Sequence, residues 1–125
     1  MVLPLWRLTW PLTTVNLTPS STGADTFRYT AVSDSTAATK DTIVDFEALG
    51  SDIINLLGLQ TGTWNGTILD SANIPFTNTG ITQIAFNDTT KSLQLDTDGN
   101  SVTDMEIILT DVVAANLDST DFTFT

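Results

Sequence analysis

Four oxygen-bearing side chains between residues 96 and 104 have the types and spacing that suit metal binding. Asp96, Asp98, Asn100 and Asp104 place carboxylate or amide oxygens at even-numbered spacings, and Gly99 allows the backbone to turn among them. Hard cations such as Ca2+ take six to eight oxygen ligands, so a run of this kind can supply several. We therefore predict that these four residues bind Ca2+. Asp, Asn and Gly are also the commonest turn formers, which leaves a plain polar turn as the alternative.

Apolar residues alternate with polar ones on both sides of this loop, a pattern typical of strands buried on one face. If the chain reverses direction at Asn100, and also at the turn at residues 89–90, apolar residues lie opposite one another on neighbouring strands. The predicted cross-strand pairs are Phe86 with Leu93, Ile84 with Leu95, Leu93 with Ile107 and Leu95 with Met105. We therefore predict a three-stranded antiparallel hairpin meander, with the acidic loop between its second and third strands.

The composition is that of an acidic protein. The chain has 125 residues, which suits one domain, and fifteen acidic residues against four basic ones give a net charge of −11. Nucleic acids and anionic membrane surfaces attract clustered Lys and Arg, so we expect neither as a partner. The apolar run at residues 1–12 is too short to span a bilayer, so we expect no membrane insertion. Bound cations would relieve the self-repulsion of so acidic a chain.

The chain contains neither cysteine nor histidine. Disulfides, thiolate zinc sites, cysteine nucleophiles and the Ser-His-Asp triad are therefore excluded. A pair of carboxylates could still hydrolyse a substrate, and Asp41 with Asp45 is an example of such a pair. Because residues two or four apart along a strand more simply serve structure or calcium binding, we predict no catalytic residues.

The sequence changes character at residue 22. Residues 1–22 combine an apolar run rich in Trp and Pro with a Thr- and Ser-rich stretch, and we predict a leader or linker. Further strands are predicted over residues 27–31, 41–46, 52–59 and 122–124. Residues 52–59 are nearly all apolar, so we expect a strand buried on both faces, with a helix over residues 46–57 as the alternative. Abundant Thr, Val, Ile and Phe and weak helical periodicity predict an all-β domain over residues 23–125, as an antiparallel β-sandwich.

Three stretches resemble the C-terminal domains of RTX and serralysin-type proteins. Residues 23–27 match the second half of the calcium-binding RTX nonapeptide. Residues 41–56 are similar to the D-x-I-x-D-F-x-x-G-x-D-x-I-x-L signature that follows those repeats. Residues 117–124 are similar to the family's extreme C-terminus, in which an acidic residue precedes a few mostly apolar ones. Their order and spacing carry the resemblance, which covers residues 23–125 and leaves out residues 1–22.

The resemblance implies a non-catalytic C-terminal module of a secreted, extracellular protein. Its fold would be a calcium-binding β-roll capped by antiparallel strands, with Gly23 and Asp25 as further calcium ligands. It would carry an uncleaved signal for the type I (ABC-transporter) secretion machinery of Gram-negative bacteria. The residues of that signal would be Asp121, Phe122, Thr123 and Phe124.

The sequence also departs from the family's pattern. It has neither a full array of nonapeptides nor a catalytic domain. We therefore expect it to be the tail of a larger secreted protein, such as a serralysin-type metalloprotease. An upstream domain of that parent protein is then a second expected partner.

A competing hypothesis is a β-sandwich module that binds a carbohydrate or an adhesion partner. Trp64, followed by Asn65 and Gly66, could stack on a sugar ring. A Trp in such a position is more often part of the core or of a loop, so the sequence leaves both interpretations open.

Overall fold

The structure is a computed structural model, and it describes residues 6–8, 16–17, 23–70 and 76–125. Within these residues the chain forms short strands, joined by turns and by 3-10 helical turns. The strands are β1 Trp6–Leu8, β2 Asn16–Leu17, β3 Thr26–Tyr29, β4 Asp41–Ile43, β5 Ile53–Leu56, β6 Ile68–Asp70, β7 Gln83–Asn87, β8 Ser92–Asp96, β9 Met105–Leu109 and β10 Phe122–Thr123. The 3-10 turns are Val32–Asp34, Ala114–Asn116 and Ser119–Asp121. The prediction of an all-β fold is confirmed, and the helical alternative for residues 46–57 is wrong.

The strands form two sheets. A four-stranded sheet has the order β1-β3-β5-β10, and a six-stranded sheet has the order β2-β4-β9-β8-β7-β6. The first five strands alternate between the two sheets, so each strand pairs with the next-but-one strand of the chain. Such a winding makes neighbouring strands parallel, because the chain returns to each sheet in the same direction. This arrangement matches the β-roll that the family resemblance implied.

Antiparallel pairing is confined, among the described strands, to the meander β7-β8-β9. All four predicted cross-strand pairs are present: Phe86 with Leu93, Ile84 with Leu95, Leu93 with Ile107 and Leu95 with Met105. The other strand pairs are parallel, so the antiparallel description does not extend to the four-stranded sheet. Period-two alternation fixes which face a strand buries, but it does not distinguish parallel from antiparallel neighbours.

One hydrophobic cluster draws side chains from both sheets. The four-stranded sheet contributes Phe27, Tyr29, Ile54, Leu56 and Phe122, and the six-stranded sheet contributes Ile43, Ile84, Phe86, Leu93, Leu95, Met105, Ile107 and Leu109. Strand β5 alternates between buried and partly exposed residues, so the expectation that it is buried on both faces is wrong. Its partly exposed positions are Ile53 and Asn55, which lie on the face away from the cluster.

Buried aspartates shape several turns at the ends of the strands. Asp34, Asp52 and Asp121 are almost inaccessible to solvent, and each accepts backbone N–H groups with its carboxylate. The donors are the amides of Thr30 and Ala31 for Asp34, of Asp25 and Glu47 for Asp52, and of Asp118 for Asp121. Hydrogen bonds from backbone amides offset the cost of burying a carboxylate. These acidic residues therefore serve the fold.

Candidate metal centre

The acidic loop connects the end of β8 at Asp96 to the start of β9 at Met105. Asp96 is fully buried and organises the loop around its carboxylate. Its Oδ1 accepts the amides of Gly99 at 2.7 Å and Asn100 at 3.1 Å, and its Oδ2 accepts the amide of Ser101 at 2.8 Å. Three amides directed at one side chain curl the backbone into a tight turn, which positions the remaining carboxylates.

Asp104 closes the loop from its other end. Its Oδ2 accepts hydrogen bonds from the amide of Thr97 at 2.8 Å and from the hydroxyl of Thr97 at 2.7 Å. Its own amide donates to Leu95 O at 2.8 Å, which continues the pairing of β8 with β9 into the loop. Asp104 is half-buried, whereas Asp98 is exposed. The loop thus holds one buried, one half-buried and one exposed carboxylate.

These three carboxylates converge. One oxygen each from Asp96, Asp98 and Asp104 lies within 4.8 Å of the other two. Calcium–oxygen bonds are about 2.3–2.6 Å, so two oxygens on one ion can be up to about 5 Å apart. The spacing therefore allows one ion to contact all three side chains, which would supply about half of a calcium shell.

No basic side chain of the described residues neutralises this group. The ion pairs there join Lys40 to Glu106 and Lys91 to Asp88, at 3.7 and 2.7 Å. Among the described residues, the negative charge of Asp96, Asp98 and Asp104 is offset by backbone amides, the Thr97 hydroxyl and the side-chain amides of Gln83 and Asn100. A hard cation is the chemical species that this donor set suits best.

Asn100, the fourth predicted ligand, has its amide group in use within the loop. Its Nδ2 donates to Asp98 Oδ2 at 3.1 Å, and its Oδ1 accepts the amide of Val102 at 2.8 Å. The structure therefore brings three of the four loop residues together as carboxylates and directs the Asn100 oxygen to the backbone.

Gly23 and Asp25, the other predicted ligands, lie just ahead of β3 in the four-stranded sheet. Asp25 is fully buried, and its amide donates to Asp52 Oδ1 at 2.9 Å. Neither residue belongs to the three-carboxylate group of the loop. The two predicted sets of ligands therefore belong to different sheets.

Asp52 lies just ahead of β5, at the position that corresponds to Asp25 ahead of β3. Thr26 aligns with Ile53 in the parallel register, which places Asp25 and Asp52 side by side. The signal was present in the sequence, because residues 50–54 repeat the G-x-D-x-apolar pattern of residues 23–27. The repeat does not stand out in the sequence, because the two copies are 27 residues apart and a single pair of copies does not define a period.

The acidic loop packs against residues 79–82, a contact that the sequence did not indicate. Gly99 O accepts the amides of Thr79 at 2.9 Å and Gly80 at 3.0 Å, and the buried Thr82 hydroxyl donates to Thr97 O at 2.8 Å. Gly99 has φ of 72°, and a Cβ there would lie 2.6 Å from the Ile81 carbonyl oxygen. Only glycine fits this approach.

The predicted secretion signal, Asp121 to Phe124, is part of the folded domain. Phe122 is buried in the core cluster, and Phe124 O accepts the amide of Gly58 at 3.2 Å. Burial raises the pKa of Asp121 to about 6 despite the hydrogen bond from the Asp118 amide, and the charges of Asp118 and Asp52 add to the increase. In contrast, hydrogen bonds from Thr120 lower the pKa of the exposed Asp118.

Trp64, on which the carbohydrate hypothesis depends, is partly buried against the core. Its ring lies edge-on to Phe122 at 5.7 Å and to Phe124 at 6.0 Å, and its Nε1 donates to Thr67 O at 3.1 Å. Of the carboxylate pair considered for catalysis, Asp41 is fully buried at the start of β4, whereas Asp45 is exposed. The two carboxylates therefore have different environments.

The sequence matches the family model of the peptidase M10 serralysin C-terminal domain over residues 7–124. The match begins at residue 7, within the segment 1–22 for which we predict a leader or linker. The strands β1 and β2 lie in that segment. Comparison with curated proteins and with solved structures found no match. No helix in the described part of the chain has the length and apolar character needed to cross a membrane.

The family match confirms the resemblance that the three sequence stretches suggested. Domains of this family are the non-catalytic C-terminal part of secreted proteins of the RTX type, and the enzymatic activity belongs to a separate protease domain. From the sequence match and the all-β fold we conclude that the chain belongs to the peptidase M10 serralysin C-terminal family.

Proposed function

We propose that this domain is a calcium-stabilised C-terminal module that carries a type I secretion signal. The observation that carries the calcium part is the convergence of the Asp96, Asp98 and Asp104 carboxylates within 4.8 Å. Three like charges at this distance destabilise the folded state unless a cation lies among them. Oxygen donors on a preformed loop fit Ca2+ in particular, because this ion accepts irregular shells of carboxylates, carbonyls and water.

Calcium would act by binding the folded state and not the unfolded one. Ligand binding of this kind stabilises a protein by RT ln(1 + [L]/Kd). Extracellular calcium modules have dissociation constants of about 10⁻⁴–10⁻³ M, so ~10 mM calcium would add about 1.4–2.7 kcal/mol to the free energy of unfolding. In the calcium-poor cytosol the carboxylates would stay uncompensated, and the less stable chain would pass more easily through a secretion channel.

For Gly23 and Asp25 we propose a role in a second calcium site. Support for this role comes from the match of residues 23–27 to the RTX nonapeptide. Half a repeat supplies only part of a coordination shell, so the remaining ligands would come from upstream repeats or from another chain. A calcium stoichiometry of one per chain for the isolated domain, lost in the variant Asp98→Asn, would place the ion in the acidic loop.

The proposed secretion signal comprises Asp121, Phe122, Thr123 and Phe124. In the folded domain Asp121 and Phe122 are buried, so a receptor could bind these side chains only before the C-terminal strand has docked. The signal would therefore be recognised by the ABC-transporter machinery on the unfolded chain. Removing residues 121–125 should abolish export from a cell with a type I system, and unchanged export would refute this part of the proposal.

Calcium binding is tested by titrating calcium into the chelated protein while the far-UV circular dichroism and the melting temperature are recorded. We expect a midpoint near 10⁻⁴–10⁻³ M calcium. Asp98→Asn removes one exposed ligand charge and leaves the amides on Asp96 in place, so its midpoint should lie at about ten-fold higher calcium. Asp111→Asn, at an exposed aspartate outside the loop, is the control and should behave like wild type. Equal midpoints for Asp98→Asn and wild type would exclude the loop as the site.

A further inference from the structure

A cleft of about 270 Å³ lies between the segment 63–69 and the segment 77–83. Its lining includes the partly buried ring of Trp64 and the hydroxyl and amide side chains of Asn65, Thr67, Thr77, Thr79 and Gln83. A volume of this size accommodates a small ligand or one or two rings of a longer one.

The cleft is uncharged on a strongly acidic molecule. None of its described lining residues is acidic or basic, although the chain carries fifteen acidic residues and has a net charge of −11. An anion would find no cationic partner there and would be repelled by the rest of the protein, whereas a cation would be attracted to the acidic loop in preference. The lining, which also includes Leu69 and Ile81, thus selects for a neutral ligand that has both apolar surface and hydrogen-bonding groups.

Trp64 is fixed in place on one side of the cleft. Its Nε1 donates to Thr67 O at 3.1 Å, and its ring makes T-shaped contacts with Phe122 at 5.7 Å and Phe124 at 6.0 Å. The neighbouring Asn65 forms an Asx turn, because its Oδ1 accepts the amide of Thr67 at 2.9 Å. A fixed ring and a fixed amide lose little conformational entropy when a ligand binds.

The other side of the cleft is fixed by Gln83 at the start of β7. Gln83 Oε1 accepts the amide of Thr77 at 3.2 Å, and its Nε2 donates to Thr77 O. The same Nε2 lies 3.4 Å from Asp96 Oδ2 in the acidic loop. The cleft therefore presents a rigid aromatic ring opposite exposed hydroxyls at Thr77 and Thr79.

We propose that this cleft binds a neutral saccharide. An uncharged pyranose has an apolar face that suits the ring of Trp64 and hydroxyls that suit the Asn65 amide and the Thr77 and Thr79 hydroxyls. This function is separate from calcium binding and secretion, and its test does not depend on either.

The test is a titration of the domain, in calcium and separately in chelator, with neutral oligosaccharides, namely cellohexaose, maltohexaose and chitohexaose, followed by amide and indole NMR shifts. We expect at least one of them to shift the Trp64 indole and the Asn65 and Gln83 side-chain amides. An anionic oligogalacturonate should leave those signals unchanged. Absence of any shift at the cleft with all three neutral sugars, or equal binding of oligogalacturonate, would overturn the proposal.

A matched pair of variants completes the test. Asn65→Asp keeps the oxygen that holds the Asx turn but replaces the amide donor with a charge, so sugar binding should weaken by about five- to ten-fold. Asn87 forms a similar Asx turn between β7 and β8, away from the cleft, with its Oδ1 accepting the amides of Thr89 and Thr90. Asn87→Asp is therefore the control and should bind as wild type does. Equal weakening in both variants, or none in Asn65→Asp, would also overturn the proposal.

Discussion

The acidic loop and the aspartates that precede the strands of the four-stranded sheet use the same residue type in opposite ways. In the loop, Asp96, Asp98 and Asp104 converge, and one of them is exposed to solvent. Ahead of β3 and β5, Asp25 and Asp52 are buried in register, and Asp52 accepts two backbone amides. Acidic residues in a turn therefore do not by themselves indicate a metal site, and what distinguishes the acidic loop is the convergence of three carboxylates, one of them exposed.

The acidic loop and the turn at Asp121 also differ in how the charge of their carboxylates is relieved. Asp121, ahead of β10 on the same sheet, is 2% exposed and lies near the charge of Asp52. Burial raises its pKa to about 6, so between about pH 4 and pH 6 the folded protein binds a proton there that an unfolded chain would release. A cation would relieve the charge of the acidic loop, whereas protonation relieves the charge at this turn.

The largest expected effect comes from Gly99, where the acidic loop meets residues 79–82. Gly99→Ala introduces a Cβ against the backbone of Gly80 and Ile81 at a positive φ, so it should lower the free energy of unfolding by about 3 kcal/mol or more. Gly58→Ala is the control, because Gly58 has a similar φ of 73° but no atom within 4 Å of the added Cβ. It should cost only about 1 kcal/mol. Equal costs in urea unfolding would mean that the loop does not pack as described.

A smaller loss of stability is expected from Asp52→Ala, and it distinguishes an aspartate that supports the fold from an aspartate of the acidic loop. Asp52→Ala leaves the buried amide of Asp25 and the partly buried amide of Glu47 without this acceptor, which should cost about 2–3 kcal/mol in chelator and in calcium alike. Asp98→Ala should cost under about 0.5 kcal/mol in chelator, because its side chain is exposed, but should reduce the stabilisation by calcium. Urea unfolding with and without calcium measures both. If the cost of Asp52→Ala depended on calcium, the purely structural role of Asp52 would be contradicted.

A further effect, smaller than that of Gly99→Ala, is the pH dependence of Asp121. Its pKa of about 6 in the folded protein lies above the usual aspartate pKa of 3.8, so its charged form destabilises the folded state at neutral pH. As the pH falls from about 6 to about 4, the folded state gains a proton that the unfolded state does not, and stability contributed by this group rises. Below the unfolded pKa both states are protonated and the gain is complete.

The matched variant for this pH effect is Asp121→Asn, which keeps the acceptor for the Asp118 amide and removes the titration. The difference in unfolding free energy between wild type and Asp121→Asn should therefore shift in favour of wild type as the pH is lowered from 7 to 4. A difference that is constant over this range would show that Asp121 does not titrate as described.

The sequence predicted the meander down to its residue pairs, because the alternation and two short turns leave one register that keeps the apolar face continuous. The parallel β-roll was not accessible to the same reasoning. Pairing of β3 with β5 depends on contacts between residues about 27 apart, and no local pattern specifies which sheet the chain enters next. The parallel β-roll was implied instead by the resemblance to RTX C-terminal domains.

The candidate site was predicted in part for similar reasons. Oxygen ligands at alternating positions indicated that Asp96, Asp98 and Asp104 lie together, which the structure shows. The packing of Gly99 against Thr79 and Gly80, and the use of the Asn100 oxygen by Val102, depend on backbone geometry that residue types do not encode. The hydrogen bond from the Asp25 amide to Asp52 depends on the parallel register of β3 and β5, which no local pattern specifies.

The most direct test of calcium-stabilised folding is the free energy of unfolding in urea, measured first in chelator and then in ~10 mM calcium. The account predicts a domain that is less stable in chelator and gains about 1.4–2.7 kcal/mol with calcium. It further predicts that Asp98→Asn, with ten-fold weaker binding, gains about 1.0–1.3 kcal/mol less than wild type does. An unfolding free energy that is the same in chelator and in calcium would contradict it and leave the acidic loop as a polar turn.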